Sequence, residues 1–178
     1  VLPRSPVSTR EWWPLPLSAT LAVVAIGSVG LEPRVIPALY LAAVTPALSA
    51  ADVRERRLPN DLVLPGYAAA GLGIAGDAVS RGEVSMFSIV GGVAFFGAFL
   101  LIAALGGMGM GDVKLVGVLG LAAGLVSATA LAVVPLAAFL LGGVAAVAAL
   151  RGAAASSIPF GPYLLAGFWI ALLVSERP

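Results

Sequence analysis

Cysteine and histidine are both absent from this 178-residue sequence. The first absence removes disulfides and thiol catalysis, and the second removes any Ser-His arrangement. Together they remove zinc sites of the usual kind. Charge is scarce as well. Asp, Glu, Lys and Arg supply 11% of the residues, where a soluble domain carries roughly a quarter. The net charge is only +1 and no basic stripe is interleaved with aromatics, so nothing points to nucleic acid. Chemistry in such a chain falls to carboxylates, with no metal and no cofactor expected.

Apolar residues make up 60% of the sequence. They gather into seven segments, at residues 15–31, 35–51, 62–79, 84–105, 113–127, 131–150 and 158–174, divided by short polar or Gly/Pro breaks. A crossing of the bilayer takes about 20 residues, and backbone groups in hydrocarbon must be paired within the segment. The alternation of a β-barrel strand is missing. These features predict an all-α fold, a polytopic integral membrane helix bundle with six to seven transmembrane helices. One domain is expected over residues 1–178, with a tail and first span over 1–34 and a core over 35–178. The fifth and sixth segments have almost no polar residue between them, so a re-entrant hairpin is the alternative there. Arg4 and Arg10 precede a stretch too long for a secretory signal and without a cleavage site after it.

Lys and Arg set the orientation. If the loop over 52–61 is inside, that side collects Arg4, Arg10, Arg54, Arg56, Arg57, Lys114 and Arg151, leaving Arg34, Arg81 and Arg177 outside. In the fifth segment Gly117, Gly120 and Gly124 share one helical face, which lets two backbones approach closely in lipid. Tyr163, Trp169, Trp12 and Trp13 near segment ends read as interfacial anchors.

Nine acidic residues remain to be sorted. Glu11, Glu32, Glu83 and Glu176 fall in tails or short loops, where solvated charges are expected. Asp77 stands near the far end of the third segment. Asp61 or Asn60 suits the N-cap of that same helix. Asp52 and Asp112 are different. Asp52 closes the second segment and Asp112 opens the fifth, so two crossings separate them and both emerge on one face. Two adjacent carboxylates cannot both ionise easily, and one keeps a proton. The ionised member can deprotonate water while the protonated one polarises a peptide carbonyl. Helix ends suggest that Asp112, at an N-terminus, is the resting base and that Asp52 holds the proton. The glycine-rich run Gly106-Gly107-Met108-Gly109-Met110-Gly111 before Asp112 offers unusual backbone angles and room for an extended substrate.

Gly109-Met110-Gly111-Asp112-Val113-Lys114-Leu115 resembles the GxGD signature of the prepilin peptidases, the type IV leader peptidases. Asp52-Val53-Arg54-Glu55-Arg56-Arg57-Leu58-Pro59-Asn60 is similar to the upstream aspartate and basic segment of that family. Ile158-Pro159-Phe160-Gly161-Pro162 resembles its PFGP element. The resemblance implies a membrane aspartic endopeptidase that removes the basic leader from prepilins or pseudopilins at the cytoplasmic membrane edge. It implies catalytic roles for Asp52 and Asp112, with Gly109 and Gly111 supporting the loop. Substrate or loop contacts at Arg54, Arg57, Asn60, Lys114 and Phe160 are further expectations. The bilayer and the prepilin are the expected partners, the bacterial cytoplasmic membrane the expected location, and the active site is expected to face the cytoplasm. Long members also methylate the new N-terminus through a Cys-rich zinc domain. No cysteine is present, so N-methyltransferase activity is not expected. A protease of the presenilin or signal-peptide-peptidase type is the alternative, although Ala51 stands where a tyrosine would precede the first aspartate. A transporter or assembly subunit with a proton-binding acid pair is the non-enzymatic one.

Overall fold

Each apolar segment folds into one helix. The computed structural model describes residues 14–151 and 158–175, apart from the side chains of Leu150 and Arg151. Arg4, Arg10, Glu11, Trp12, Trp13, Glu176 and Arg177 lie outside the described residues. The helices are α1 (Pro14–Val29), α2 (Ile36–Glu55), α3 (Asn60–Arg81), α4 (Met86–Ala104), α5 (Met110–Val126), α6 (Ala128–Arg151) and α7 (Gly161–Val174), with a 3-10 turn at Pro33–Val35 leading into α2. Strands are absent among the described residues.

Four stretches, Pro33–Glu55, Asn60–Arg81, Met86–Ala104 and Ala128–Ala149, are long and apolar enough to cross a membrane. Helices α1 and α7 are apolar but shorter, at 16 and 14 residues. Apolar side chains point outward as well as inward: Val93 is 70% exposed and Val144 71%. Helices apolar on every side belong in lipid. The chain is a polytopic membrane helix bundle.

Short caps make the turns. Gly82 takes φ 78 after α3, and its N–H donates to the Ala78 carbonyl. Ser127 alone separates α5 from α6. Its extended backbone (φ −170) ends one helix, and its Oγ accepts from the Ala130 N–H at 3.0 Å to start the next. No side chain caps α3. Its N-cap is Pro59, and Asn60 and Asp61 both fall inside the helix, so the expected Asn or Asp cap does not form.

Helix α5 is the centre of the bundle and touches α3, α4, α6 and α7. The glycine face works as expected. A methyl on Gly120 would lie 2.5 Å from the Gly91 carbonyl oxygen of α4, and one on Gly124 would strike the Phe87 carbonyl. Trp169 is no interfacial anchor. It is buried in α7, and its Nε1 donates to Thr45 Oγ1 of α2 at 3.1 Å. At the end of the bundle where α3 finishes, two supposedly solvated or isolated acids are paired. Arg81 Nε lies 3.0 Å from buried Asp77, and Glu32 bridges Arg81 at 3.3 Å and buried Arg34 at 2.9 Å. The last contact is an ion pair without hydrogen-bond alignment, since Arg34 Nε has no acceptor in line.

Candidate active site

Asp52 sits one turn before the end of α2 and is 5% exposed. The helix stops because Arg56 adopts a left-handed conformation, φ 53, with its N–H on the Asp52 carbonyl. Leu58 then turns inward and is buried. On the facing side, α4 gives way to the glycine-rich run. Of its glycines only Gly106 needs a positive φ, at 80. Gly109 caps α5 with an ordinary extended backbone, φ −80. The freedom expected of the whole run is used at one position. Gly111 is required for a different reason: a methyl there would lie 3.0 Å from Leu58 Cβ. Glycine lets the turn after α2 close against the first turn of α5.

Asp112 occupies that first turn, ahead of the apolar stretch beginning at Val113. Asp52 and Asp112 both line a cavity of about 430 Å³ with Arg56, Met108, Phe139 and Phe160. Both also line an adjoining space of about 230 Å³ with Arg57 and Leu58. The sharing of both cavities brings the two carboxylates together directly, without any count of crossings.

The third element completes the site. The Gly161 N–H, at the start of α7, donates to Asp52 Oδ2 at 2.8 Å. A methyl on Gly161 would lie 2.9 Å from that same oxygen. Phe160 stacks loosely between Phe139 (ring centroids 5.5 Å apart) and Tyr163 (6.3 Å), walling the cavity.

The two acids are therefore unequal. Both are withdrawn from water, but Asp52 receives the Gly161 amide while Asp112 keeps one oxygen without a donor. Asp112 Oδ1 is buried with no hydrogen-bond partner. Burial first, then the neighbouring charge of Asp52, push the Asp112 carboxyl up to about 6, against a smaller opposing pull from the Gly109 amide. This runs opposite to the expectation from helix ends. The α5 dipole favours a charge at Asp112 by a fraction of a kcal/mol to about 1 kcal/mol, and desolvation beside a second carboxylate outweighs it.

A family model described as the type IV leader peptidase family matches residues 39–150, which include both aspartates. The chain belongs to the type IV leader peptidase family. It is 33% identical over 180 residues to a prepilin leader peptidase/N-methyltransferase of Aeromonas hydrophila, covering 96% of this chain and 60% of that protein. It is also 33% identical over 165 residues to a protein of the same description from Aeromonas salmonicida strain A449, covering 88% of this chain and 55% of the relative. The chain thus spans little more than half the length of these relatives. No solved structure matches it.

In this leader peptidase family member the remaining expected residues fall in different places. Phe160 and Arg57 line the aspartate cavities. Arg54 is exposed and lines neither. Lys114 and Asn60 are joined to each other, Nζ to Oδ1 at 3.0 Å, and fasten α5 to α3. Tyr67 of α3 reinforces that seam by donating its hydroxyl to the Lys114 carbonyl at 2.8 Å. Sequence reasoning missed Arg56 as the arginine shared by both cavities, because three arginines in one short loop look alike until the helix end is placed. It also missed the Gly161 amide and Phe139, whose partners are distant in sequence. Among the described residues no three acidic side chains converge as a metal centre requires.

Proposed function

We propose that this chain is a membrane aspartic endopeptidase that removes the leader of prepilins or pseudopilins, with Asp52 and Asp112 as its catalytic pair. The observation that carries this reading is two carboxylates on one cavity, Asp52 buried and held by the Gly161 amide, Asp112 half-buried with one oxygen unpaired. Asp52, held by the Gly161 amide, is the ionised member and the general base. Asp112 holds the shared proton.

The chemistry follows. A water between the carboxylates gives a proton to Asp52 as its oxygen attacks the scissile carbonyl carbon. Asp112 passes its proton to the carbonyl oxygen, and a neutral tetrahedral diol forms. Asp52 then protonates the departing nitrogen, the C–N bond breaks, and Asp112 recovers a proton from a diol hydroxyl. Proton balance is restored at the end of the cycle. Positioned acid-base pairs of this kind supply about 10²–10⁴-fold per group. The cavity stands at the end of α2 and the beginning of α5, so the bond cut lies at the membrane edge. The apolar wall of Met108, Phe139 and Phe160 suits the start of a substrate's apolar helix.

The bacterial cytoplasmic membrane, with the site facing the cytoplasm, fits the distribution of cations. Among the described residues Arg54, Arg56, Arg57 and Lys114 lie at the aspartate end, against Arg34 and Arg81 at the other, as the positive-inside rule requires. The test is co-expression with a candidate prepilin, scoring leader removal by mass. The wild type should release the leader. Asp52→Asn and Asp112→Asn should each stop cleavage while inserting normally. Full cleavage by either variant would refute the proposal.

A further inference from the structure

A further cavity lies away from the aspartates. It is a groove of about 540 Å³ walled by Leu64 and Tyr67 of α3 and Val93 and Phe96 of α4, with Leu121 and Lys114 of α5 as its floor and end. Leu64 is 49% and Val93 70% exposed, so the groove opens on the lipid-facing side of the bundle. A methyl on Gly97, which also lines it, would meet nothing within 4 Å. The Tyr67 hydroxyl is spent on the Lys114 carbonyl, which leaves the walls apolar.

Among the described residues Lys114 is the one charged residue of the lining, which it reaches with its aliphatic stem. Lys114 stands two residues beyond Asp112, at the membrane edge, and its ammonium donates to the neutral Asn60 Oδ1. Among the described residues it pairs with no carboxylate. An apolar channel ending at an uncompensated cation at head-group depth is complementary in charge and polarity to an acidic phospholipid. We propose that this groove is a binding site for an acidic phospholipid of the surrounding bilayer, with an acyl chain between α3 and α4 and the phosphate on Lys114. The bound lipid would reinforce the Lys114–Asn60 seam, and so the turn of α5 that carries Asp112.

The test is native mass spectrometry of the whole protein in mild detergent, titrated with phosphatidylglycerol or phosphatidylcholine of equal chain length. No substrate is present, so the outcome is independent of the peptidase reading. The wild type should retain phosphatidylglycerol about fivefold more strongly, the factor expected for one cation near a head group. Lys114→Gln should remove the preference and leave phosphatidylcholine binding as it was, and Lys114→Arg should keep the preference. Gly97→Leu, which fills open space, should lower binding of both lipids. An unchanged preference in Lys114→Gln, or full occupancy in Gly97→Leu, would overturn the proposal. So would a wild-type dimer that Gly97→Leu dissociates, since a second copy would then be the occupant.

Discussion

Replacing Asp112 with Asn should stabilise the protein above pH 7 while ending its proposed activity. Asp112 is held at about 6 in the folded chain against 3.8 for a free carboxyl. A group raised in this way favours the folded state below pH 3.8, and the contribution is lost as pH rises through 6. Full ionisation at pH 8 therefore costs up to about 3 kcal/mol. The open cavity lets solvent screen part of that, and the proton is shared with Asp52, so a penalty on the order of 1–2 kcal/mol is expected. Asparagine has the same shape and no charge at any pH. Asp112→Asn should melt roughly 2–8 °C above wild type at pH 8. The gap should shrink to roughly a third near pH 4.5 and close below pH 3.8, where the carboxyl is protonated in both folded and unfolded chains. Melting followed by tryptophan fluorescence in detergent at the two pH values checks both arms. A variant melting at or below wild type at pH 8, or a gap independent of pH, would refute the assignment of the proton to Asp112.

Gly161→Ala should slow leader cleavage by about 10–100-fold, the worth of one hydrogen bond to a charged acceptor, with only a small change in melting temperature. Cleavage at the wild-type rate would show that the Gly161 amide does not set Asp52. Arg81→Ala leaves Asp77 buried without its cation and should destabilise by about 2–4 kcal/mol; adding Asp77→Asn should recover most of the loss in a denaturant or thermal series. Trp169→Phe removes the bond to Thr45 and should cost about 1 kcal/mol, seen as a lowered melting point with cleavage unchanged.

Much of this fold could be read from composition, because lipid imposes the helix on every long apolar segment. The seven segments match the seven helices to within a few residues at most ends. Asp52 and Asp112 could be placed on one face by parity alone, since counting crossings needs no side-chain detail. What stayed hidden depended on contacts between distant segments. Trp169 looked like an interfacial aromatic, and only the packing of α7 on α2 reveals Thr45 as its partner. Glu32 looked solvated and Asp77 stood apart, because the sequence does not show that Arg81 meets Glu32 across 49 residues or that Asp77 and Arg34 are buried there. The unequal hydrogen bonding of the pair was hidden for the same reason. Helix polarity is visible in sequence, whereas the donor from Gly161, 109 residues away from Asp52, is not. The capping residue of α3 failed on local grounds: Pro59 occupies the cap, and Asn60 is committed to Lys114.

The central claim is that the two aspartates act as one catalytic unit. Its most direct measurement compares leader cleavage, scored by mass in reconstituted vesicles, for wild type, Asp52→Asn, Asp112→Asn and the double variant. Residues acting as a unit lose nearly all activity when either one is removed. Each single variant should fall to background, and the double variant should fall no lower. A single variant that retains substantial cleavage, with a further drop in the double, would contradict the account.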